Sequence, residues 1–598
     1  MLKKGYHKME KWFVAAKKAD FDAWSKKFNI TPVTARIIRN RDIFSEEDVE
    51  KYLNGTFLDM YPPEAMLDLE DAAAIIEEQL RSGKKMRVIG DYDVDGITAS
   101  HILTKGLRAL SADVDTVIPH RMQDGYGLND RLIEQAYEDG IRTIVTCDNG
   151  IAAAPQIALA AEKKITVVVT DHHEVPYTEE DGVRTEILPP AAAVVDPKRA
   201  DCTYPFKNIC GAVVAYKLIE LLLRRSELEP AEKQGLLDEF LQLAAVATVC
   251  DVMDLLDENR IIVKEGLKRI HTKPCMGLKA LIEVNGIEPG KLSAYHLGFV
   301  IGPCLNATGR LDTATRALEL LVAHDTRTAV TIAGELKEMN DSRKTMTLMG
   351  LEQASKYVEE NHMEEDKILV IYLPACHESL AGIIAGRIRE KYGKPAFVLT
   401  KGEEGVKGSG RSIESYHMYE AMTACKELFT KYGGHKMAAG LSMEEENVPI
   451  LRRRLNAECS LTEEDFIPKI HIDVPMPLAY ADRKLAEELS ILEPFGTANP
   501  KPLFACKNVS FLSGKKLGAK GNFAKYRVLH EGREYEVVYF GGLDKFHAFL
   551  EEKFGVGAAE KLYQYQARCG YELSITYQLG MNSYMGRTEV QVVMQNYC

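Results

Sequence analysis

The sequence predicts an α/β protein: a mostly parallel sheet covered by helices, a long connecting helix, a second α/β lobe and a β-rich C-terminal part. Three observations carry this. Short apolar runs near 86–90, 113–118, 142–147, 165–170 and 192–195 alternate with helical patterns near 97–110, 129–139, 154–163 and 211–225. That rhythm is the signature of βαβ units and a parallel sheet. A charged helical pattern runs unbroken from Val330 to about His362. After residue 465 the texture changes to short β-like runs at 503–511, 525–530, 534–540 and 572–578.

Composition narrows the class. A chain of 598 residues has the length of about three or four domains. No apolar run is long enough to span a bilayer, and the start, Met1-Leu2-Lys3-Lys4-Gly5-Tyr6, lacks the apolar core of a signal peptide. Twelve cysteines without a CxxC pair point to free thiols in a reducing cytoplasm and disfavour a cysteine-built zinc site. A net charge of −13 argues against a wholly basic nucleic-acid coat but leaves room for local basic tracks. Residues 1–41 hold eight Lys and three Arg against Glu10, Asp20 and Asp22. A second patch, Lys515, Lys516, Lys520, Lys525 and Arg527, is interleaved with Phe523 and Tyr526. Basic grooves with aromatic platforms hold single strands.

In order, residues 1–65 read as a helical and loop preface ending at Pro62-Pro63, and Asp68 to Arg81 as an amphipathic helix feeding the first strand. That strand closes in Gly90-Asp91-Tyr92-Asp93-Val94-Asp95-Gly96, with a helix starting near Ile97. Alternation in an extended segment points Asp91, Asp93 and Asp95 to one side. Clustered carboxylates call for a hard divalent cation. The plainer alternative is an acidic turn with Asp95 as helix cap. The third strand ends in Cys147-Asp148-Asn149-Gly150, and the fourth in Thr170-Asp171-His172-His173-Glu174. Neutral imidazole suits Mn²⁺, and a carboxylate beside it can orient the ring. Asp251 follows a buried run from Leu241 to Val249. The set Asp91, Asp93, Asp95, Asp148, His172, His173 and Asp251 mixes oxygen and nitrogen ligands from several strand ends. It suggests two ions, Mn²⁺ or Mg²⁺, which clamp a phosphorus centre and activate water in phosphoester or phosphoanhydride hydrolysis.

DYDVDG, TCDNG, TDHHE and ATVCDV, in this order, resemble the motifs of the DHH phosphoesterase superfamily. Pro119-His120-Arg121 leading into Gly125-Tyr126-Gly127, Cys210-Gly211-Ala212 and the run Gly302 to Arg310 narrow the resemblance to the RecJ family of single-strand-specific exonucleases. His377 to Gly382, Lys407 to Ser412 and Tyr432 to Gly440 resemble the DHH-associated domain, whose glycine-rich loops bind substrate. The C-terminal strands resemble an oligonucleotide-binding (OB-like) barrel. The sequence departs from the pattern at Cys304, where an arginine is usual, at Cys376 and at Asp254.

The resemblance implies a basic extension over 1–65, a DHH phosphoesterase domain over 66–325, a connecting helix over 326–365, a DHH-associated domain over 366–462 and an OB-like domain over 463–598. It implies a 5′→3′ exonuclease that degrades single-stranded DNA to mononucleotides in repair and recombination. His435 would act beside the metal ligands as a catalytic group on a non-bridging oxygen. Arg121, Arg310, Ser409 and Arg411 would hold the 5′ end and its phosphates. Asn306, Gly433, Gly434, Lys515, Lys516 and Phe523 complete the expected substrate contacts. The expected setting is a cytoplasmic monomer with no membrane association, working beside a single-strand-binding protein and a helicase. The alternatives are a phosphodiesterase for short oligonucleotides or cyclic dinucleotides, a pyrophosphatase, or a non-catalytic DNA-binding replication partner.

Overall fold

Strand β1 (Lys11–Val14) pairs in parallel with Lys469–Ile472, Lys11 opposite Lys469. The preface was expected to be helix and loop. It does hold helices at Phe21–Phe28, Pro32–Asn40 and Glu46–Asn54, but the strand was not foreseen, because its partner lies more than 400 residues away. The computed structural model describes residues 10–120, 127–311, 314–402, 405–584 and 586–598. These form two compact units. One gathers the described residues of 1–53, 347–493 and 501–598, the other those of 54–346 and 494–500.

The second of these units is built on a five-stranded parallel sheet. Its strands are β2 (Met86–Ile89), β3 (Val114–Val117), β4 (Thr143–Cys147) and β5 (Thr166–Thr170). A surface hairpin, β6 (Tyr177–Glu180) and β7 (Val183–Glu186), then precedes β8 (Ala193–Val195). The order is β3-β2-β4-β5-β8. Successive strand residues face opposite sides. Val88, Val145 and Val168 pack under the helices Leu69–Arg81, Val94–Ala109, Gly211–Arg225 and Pro230–Cys250. Ile89, Ile144 and Val169 pack under Asp130–Glu138 and Ala154–Glu162. Both faces are covered, so the strands read as unbroken apolar runs. The chain steps to one side of β2 for β3 and to the other for β4. The carboxyl ends of β2 and β4 are therefore the switch point at which open α/β sheets bind ligands.

In the other unit β9 (Leu369–Tyr372), β10 (Ala396–Lys401), β11 (Val406–Arg411), β12 (Phe429–Gly434) and β13 (Ala438–Met443) form a sheet ordered β12-β13-β11-β10-β9. The glycine-rich runs 407–412 and 432–440, expected as loops, are largely the strands β11, β12 and β13. Packing explains two of the β11 glycines: a Cβ at Gly408 would fall 2.2 Å from Leu399 Cδ2, and one at Gly410 2.4 Å from Met418 Sδ and 2.8 Å from the Phe397 ring.

Beyond β14 (Lys469–Ile472) and the short β15 (Val474–Pro475), five strands close a barrel. They are β16 (Phe504–Leu517), β17 (Phe523–His530), β18 (Arg533–Tyr539), β19 (Tyr571–Tyr584) and β20 (Arg587–Tyr597), and pairing of β16 with β19 completes the ring. Phe504, Phe511, Tyr526, Tyr577 and Phe546 are buried there. Tyr526, expected among the surface aromatics, is core, its hydroxyl 2.8 Å from that of Tyr563. It alternates along β17 with outward Lys525 and Arg527, so the strand period sends it inward.

The long helix runs Thr326–Glu360, close to its expected extent. Among the described residues no helix is long and apolar enough to cross a membrane. The preface is tied in by a buried ion pair. Arg41 donates through Nη1 and Nη2 to the Asp473 carboxylate at 2.6 and 3.2 Å, and Leu503 N donates to the same carboxylate at 3.0 Å. Breaking a buried pair from one side leaves an uncompensated charge. Asp473→Ala is therefore expected to destabilise this unit by about 3–5 kcal/mol, read as an earlier transition in urea unfolding of the full chain. An unshifted transition would show that water takes over the charge.

Candidate active site and metal centre

The acidic turn follows β2 directly. Asp93, not Asp95, caps the helix: Asp93 Oδ1 accepts from Asp95 N at 2.9 Å and Gly96 N at 3.1 Å. The helix begins at Val94, three residues earlier than expected, and Asp95 lies in its first turn. The three aspartates thus converge through a turn and a helix start, not by alternation along a strand. A side chain at Gly96 would run into the Asp91 backbone at 2.4–2.6 Å, so the turn closes only over glycine. Asp95 is buried. Its oxygens accept from Gly211 N at 2.6 Å and Ala212 N at 2.7 Å, which puts the carboxylate on the N-terminus of the helix Gly211–Arg225.

Asp148 follows β4 and adopts a left-handed backbone, φ 59°. His172 Nε2 stands 3.0 Å from Asp148 Oδ1, 3.4 Å from Asp95 Oδ2 and 3.6 Å from Asp251 Oδ2. One nitrogen and three carboxylates converge there. Asp171 was not foreseen as a separate site residue. Its Oδ1 accepts from His172 N at 2.8 Å and from His173 Nδ1 at 2.8 Å, and its Oδ2 from Ile151 N at 2.9 Å. That bond fixes the His173 ring and leaves Nε2 for ligation. A carboxylate just before a histidine pair at a strand end was the signal.

Asp251 ends the helix Pro230–Cys250. Val252 N donates to Val249 O and Met253 N to Thr248 O, at 3.3 and 3.1 Å. This is a Schellman closure whose left-handed position, usually glycine, is Val252 at φ 59°. A β-branched residue there is strained. The strained turn fixes the backbone that presents Asp251.

Three overlapping groups each bring one ligand atom per residue within 4.8 Å: Asp148, His172 and His173; Asp95, His172 and Asp251; Asp91, Asp93 and Asp148. All seven expected ligands are present. Burial raises the Asp148 carboxyl well above its ordinary value, and the charges of Asp95, Asp93 and Asp91 raise it further. Burial and then Asp95 raise Asp93 as well. Burial, with Asp95 and Asp93, pushes Asp251 up to about 8. Burial lowers His172 and favours its neutral, ligating form. For His173 burial acts downward, but the Asp171 hydrogen bond together with the charges of Asp171, Asp251 and Asp95 outweighs it and raises the ring to about 9. Asp251 Oδ2 and His172 Nδ1 are buried with no hydrogen-bond partner. Excess buried negative charge, an orphaned carboxylate oxygen and an oxygen-rich donor set with imidazole fit divalent Mn²⁺ or Mg²⁺.

Comparisons with known proteins agree with this geometry. The DHH family, N-terminal domain, matches residues 85–248, the DHHA1 domain residues 365–461 and the RecJ OB domain residues 472–596. The single-stranded-DNA-specific exonuclease RecJ of Salmonella typhimurium is 33% identical over 80% of this chain and 83% of its own length. The chain belongs to the RecJ family. The Bacillus subtilis RecJ is 35% identical over 86% of this chain, and the match spans 64% of that longer relative. The crystal structure of Thermus thermophilus RecJ in complex with Mn²⁺ superposes with a TM-score of 0.78 at 29% identity, covering 98% of this chain and 79% of that one. As a DHH phosphoesterase of this family the protein is a hydrolase acting on phosphodiester bonds.

The remaining residues expected from the RecJ pattern are placed as follows. Arg121, with Gly125-Tyr126, lies outside the described residues, as does the side chain of Arg310. Asn306 supports the acidic turn, its Oδ1 accepting from Val94 N at 3.1 Å. Cys304 is fully buried, with Asn340 Nδ2 3.6 Å and Asn285 Nδ2 3.7 Å from its sulfur. Ser409 and Arg411 share one face of β11, and Ser409 pairs with Gly440 as Gly433 does. The half-buried Arg411 guanidinium has no acidic partner among the described residues. Its Nη1 donates to Gly410 O at 2.8 Å, and burial, then Arg389, lowers its pKa. His435 is exposed beyond β12, its N–H donating to Ala438 O at 2.8 Å, with Gly434 at φ 150° before it. In the barrel, Lys515 lies opposite Lys525, and Leu517 opposite Phe523, near the β16–β17 turn. Phe523 packs against Phe540 at 5.3 Å, and Lys516 Nζ lies 5.1 Å from the Tyr563 ring centre.

Asp251 takes a proton on folding wherever the pH lies between its ordinary 3.8 and about 8. Its raised value thus contributes stability below about pH 4 that is lost as pH rises through about 8. A divalent ion replaces that proton. The metal-free protein is expected to lose stability from pH 5 to 8, and saturating Mn²⁺ to restore it increasingly toward pH 8. Thermal melts across pH, with and without Mn²⁺, check this; Mn²⁺ stabilisation independent of pH would contradict it.

Proposed function

We propose that this protein is a 5′→3′ exonuclease on single-stranded DNA, releasing mononucleotides at a two-ion Mn²⁺ or Mg²⁺ centre. The observation that carries the reading is the overlap of three ligand groups on shared Asp148 and His172 at the sheet's switch point. Sharing of ligands is how two ions are held close enough to act on one phosphate. The ligands would be Asp91, Asp93, Asp95, Asp148, His172, His173 and Asp251. Ions bound there supply charge neutralisation at the scissile phosphate and acidify water.

The protein's own groups set the geometry. Asp171 fixes the His173 ring. Gly211 N and Ala212 N hold the Asp95 carboxylate, and Asn306 pins the start of the helix that carries it. The substrate is the one the relatives' names give, and the 5′→3′ direction is what the RecJ resemblance implies, with Ser409 and Arg411 on one face of β11 as the expected phosphate contacts. Arg411, an uncompensated guanidinium beside Ser409, suits a terminal phosphate, and His435 would donate to a non-bridging oxygen. Lys515 faces Lys525, which is paired with Glu536 at 2.6 Å, and Lys515 would contact the strand's phosphates. The Phe523–Phe540 pair offers the adjoining stacking surface. The work is assigned to cytoplasmic DNA repair and recombination by a monomer, alongside a single-strand-binding protein and a helicase.

With Mn²⁺, a 5′-labelled single strand is expected to lose its label as a mononucleotide before a 3′-labelled strand shortens to its end. A blunt duplex is expected to be spared. Release of 3′ label first would reverse the direction, and hydrolysis confined to dinucleotides would make this a small-substrate phosphodiesterase. Asp148→Ala is expected to cut turnover at least about a thousandfold with an unchanged circular-dichroism spectrum. Retained cleavage would remove Asp148 from the metal centre.

A further inference from the structure

Two exposed rings sit on an irregular helix against the metal-site support. Tyr295 is 63% and Phe299 68% exposed, and their rings stack at 4.9 Å with planes 26° apart. Between Met276 and Val330 they are the two large exposed hydrophobic side chains among the described residues. The first turn is pinned by a capping box, with Ser293 N and Oγ 3.2 and 3.0 Å from His296 Nδ1. The chain then opens into a π-helical turn, Leu297–Ile301, in which Gly302 N donates to Leu297 O. Such turns cost regular hydrogen-bond geometry and recur at functional sites.

The inner side of this turn lies on the end of the helix that presents Asp251. Cys250 Sγ is 3.5 Å from Leu297 O. A Cβ at Gly298 would stand 3.2 Å from Val249 Cγ1, and one at Gly302 would overlap Cys250 Sγ at 2.3 Å. Both contacts are to the two residues that immediately precede Asp251. The same helical run continues into Gly302–Leu311, whose Asn306 holds the acidic turn. The platform is therefore fixed at both ends to elements that carry metal ligands.

We infer that Tyr295 and Phe299 form a stacking platform for nucleobases of the single strand whose terminal phosphate lies at the metal centre. The inference rests on the nuclease reading above and names a contact within it. Every base has a π-face, so stacking holds a strand without reading its sequence. Two rings by themselves are far too small an area for a stable protein interface, whereas they match one or two bases. Their helix rests on Val249 and Cys250, the two residues before Asp251, so the platform is tied to an element that presents a candidate metal ligand.

The test uses the full chain with Mn²⁺ on an oligo-dT strand, and on a strand of equal length whose internal positions are abasic. Y295A/F299A is expected to raise KM for oligo-dT about tenfold with kcat nearly unchanged. On the abasic strand the wild-type KM is expected to be raised already, and the double variant to add nothing further. An unchanged KM on oligo-dT would overturn the inference. An equal loss on both strands would also overturn it, because the rings would then act through the backbone or the fold. F299W gives a second readout, independent of cleavage. In EDTA its fluorescence, corrected for the wild-type signal of Trp12 and Trp24, is expected to be quenched by oligo-dT and not by the abasic strand. Equal or absent quenching overturns the platform. A wild type that cuts no single strand would instead sink the nuclease reading, and the quenching would still decide whether bases stack here.

Discussion

Buried carboxylates that repel one another govern the catalytic unit. Asp91, Asp93, Asp95, Asp148 and Asp251 reach one neighbourhood from a turn, a helix cap, a helix start, a strand end and a helix end. Burial and the neighbouring charges raise Asp93, Asp148 and Asp251 above the ordinary carboxylate value. The surrounding fold is arranged to keep them together. Backbone N–H groups grip Asp95, Asp93 and Asp171, converting peptide dipoles into the local positive charge that makes such crowding tolerable. The remaining deficit is of the size and donor type that divalent ions fill.

Much of this was legible in the sequence, because metal chemistry restricts residue type over short, local stretches. DYDVDG, TCDNG and TDHHE each sit at a strand end that apolar runs announce, and the seven residues named from the sequence are the seven that the three clustered groups contain. The features that escaped depend on contacts that no local pattern records. The strand Lys11–Val14 is defined by Lys469–Ile472. Glycines 408 and 410 resemble loop residues until the neighbouring side chains that exclude a Cβ, Leu399 at one and Met418 with Phe397 at the other, are in view. Asp93 and Asp95 are equivalent in a period-two reading, and only the exact start of the helix makes one a cap and the other a helix-bound ligand. Tyr526 and Phe523 sit on one short strand, and register alone sends the first to the barrel core and the second to its surface.

Cys304 shows how a departure from a family pattern is absorbed. Where an arginine is usual, the thiol is buried between Asn285 and Asn340. A buried guanidinium would demand a counter-charge; a thiol with two amide neighbours does not. Two residues on, Asn306 still reaches Val94 N. The helix therefore retains its hold on the acidic turn while contributing one positive charge fewer.

The end of the helix Pro230–Cys250 serves both the metal site and the exposed rings. A glycine at Val252 would relax the turn, and a relaxed turn would let Asp251 wander by the few tenths of an ångström that metal ligation does not forgive. The strained valine, the Cys250 contact and the π-helical turn form one continuous support. On its inner side that support sets a ligand, and on its outer side it presents Tyr295 and Phe299. Because both are fixed to the same few residues, a base stacked on the rings and the phosphate at the metals would be held in register by rigid structure. Strain in the backbone and exposure of apolar rings, each unfavourable for folding alone, are both accounted for by positioning a flexible substrate.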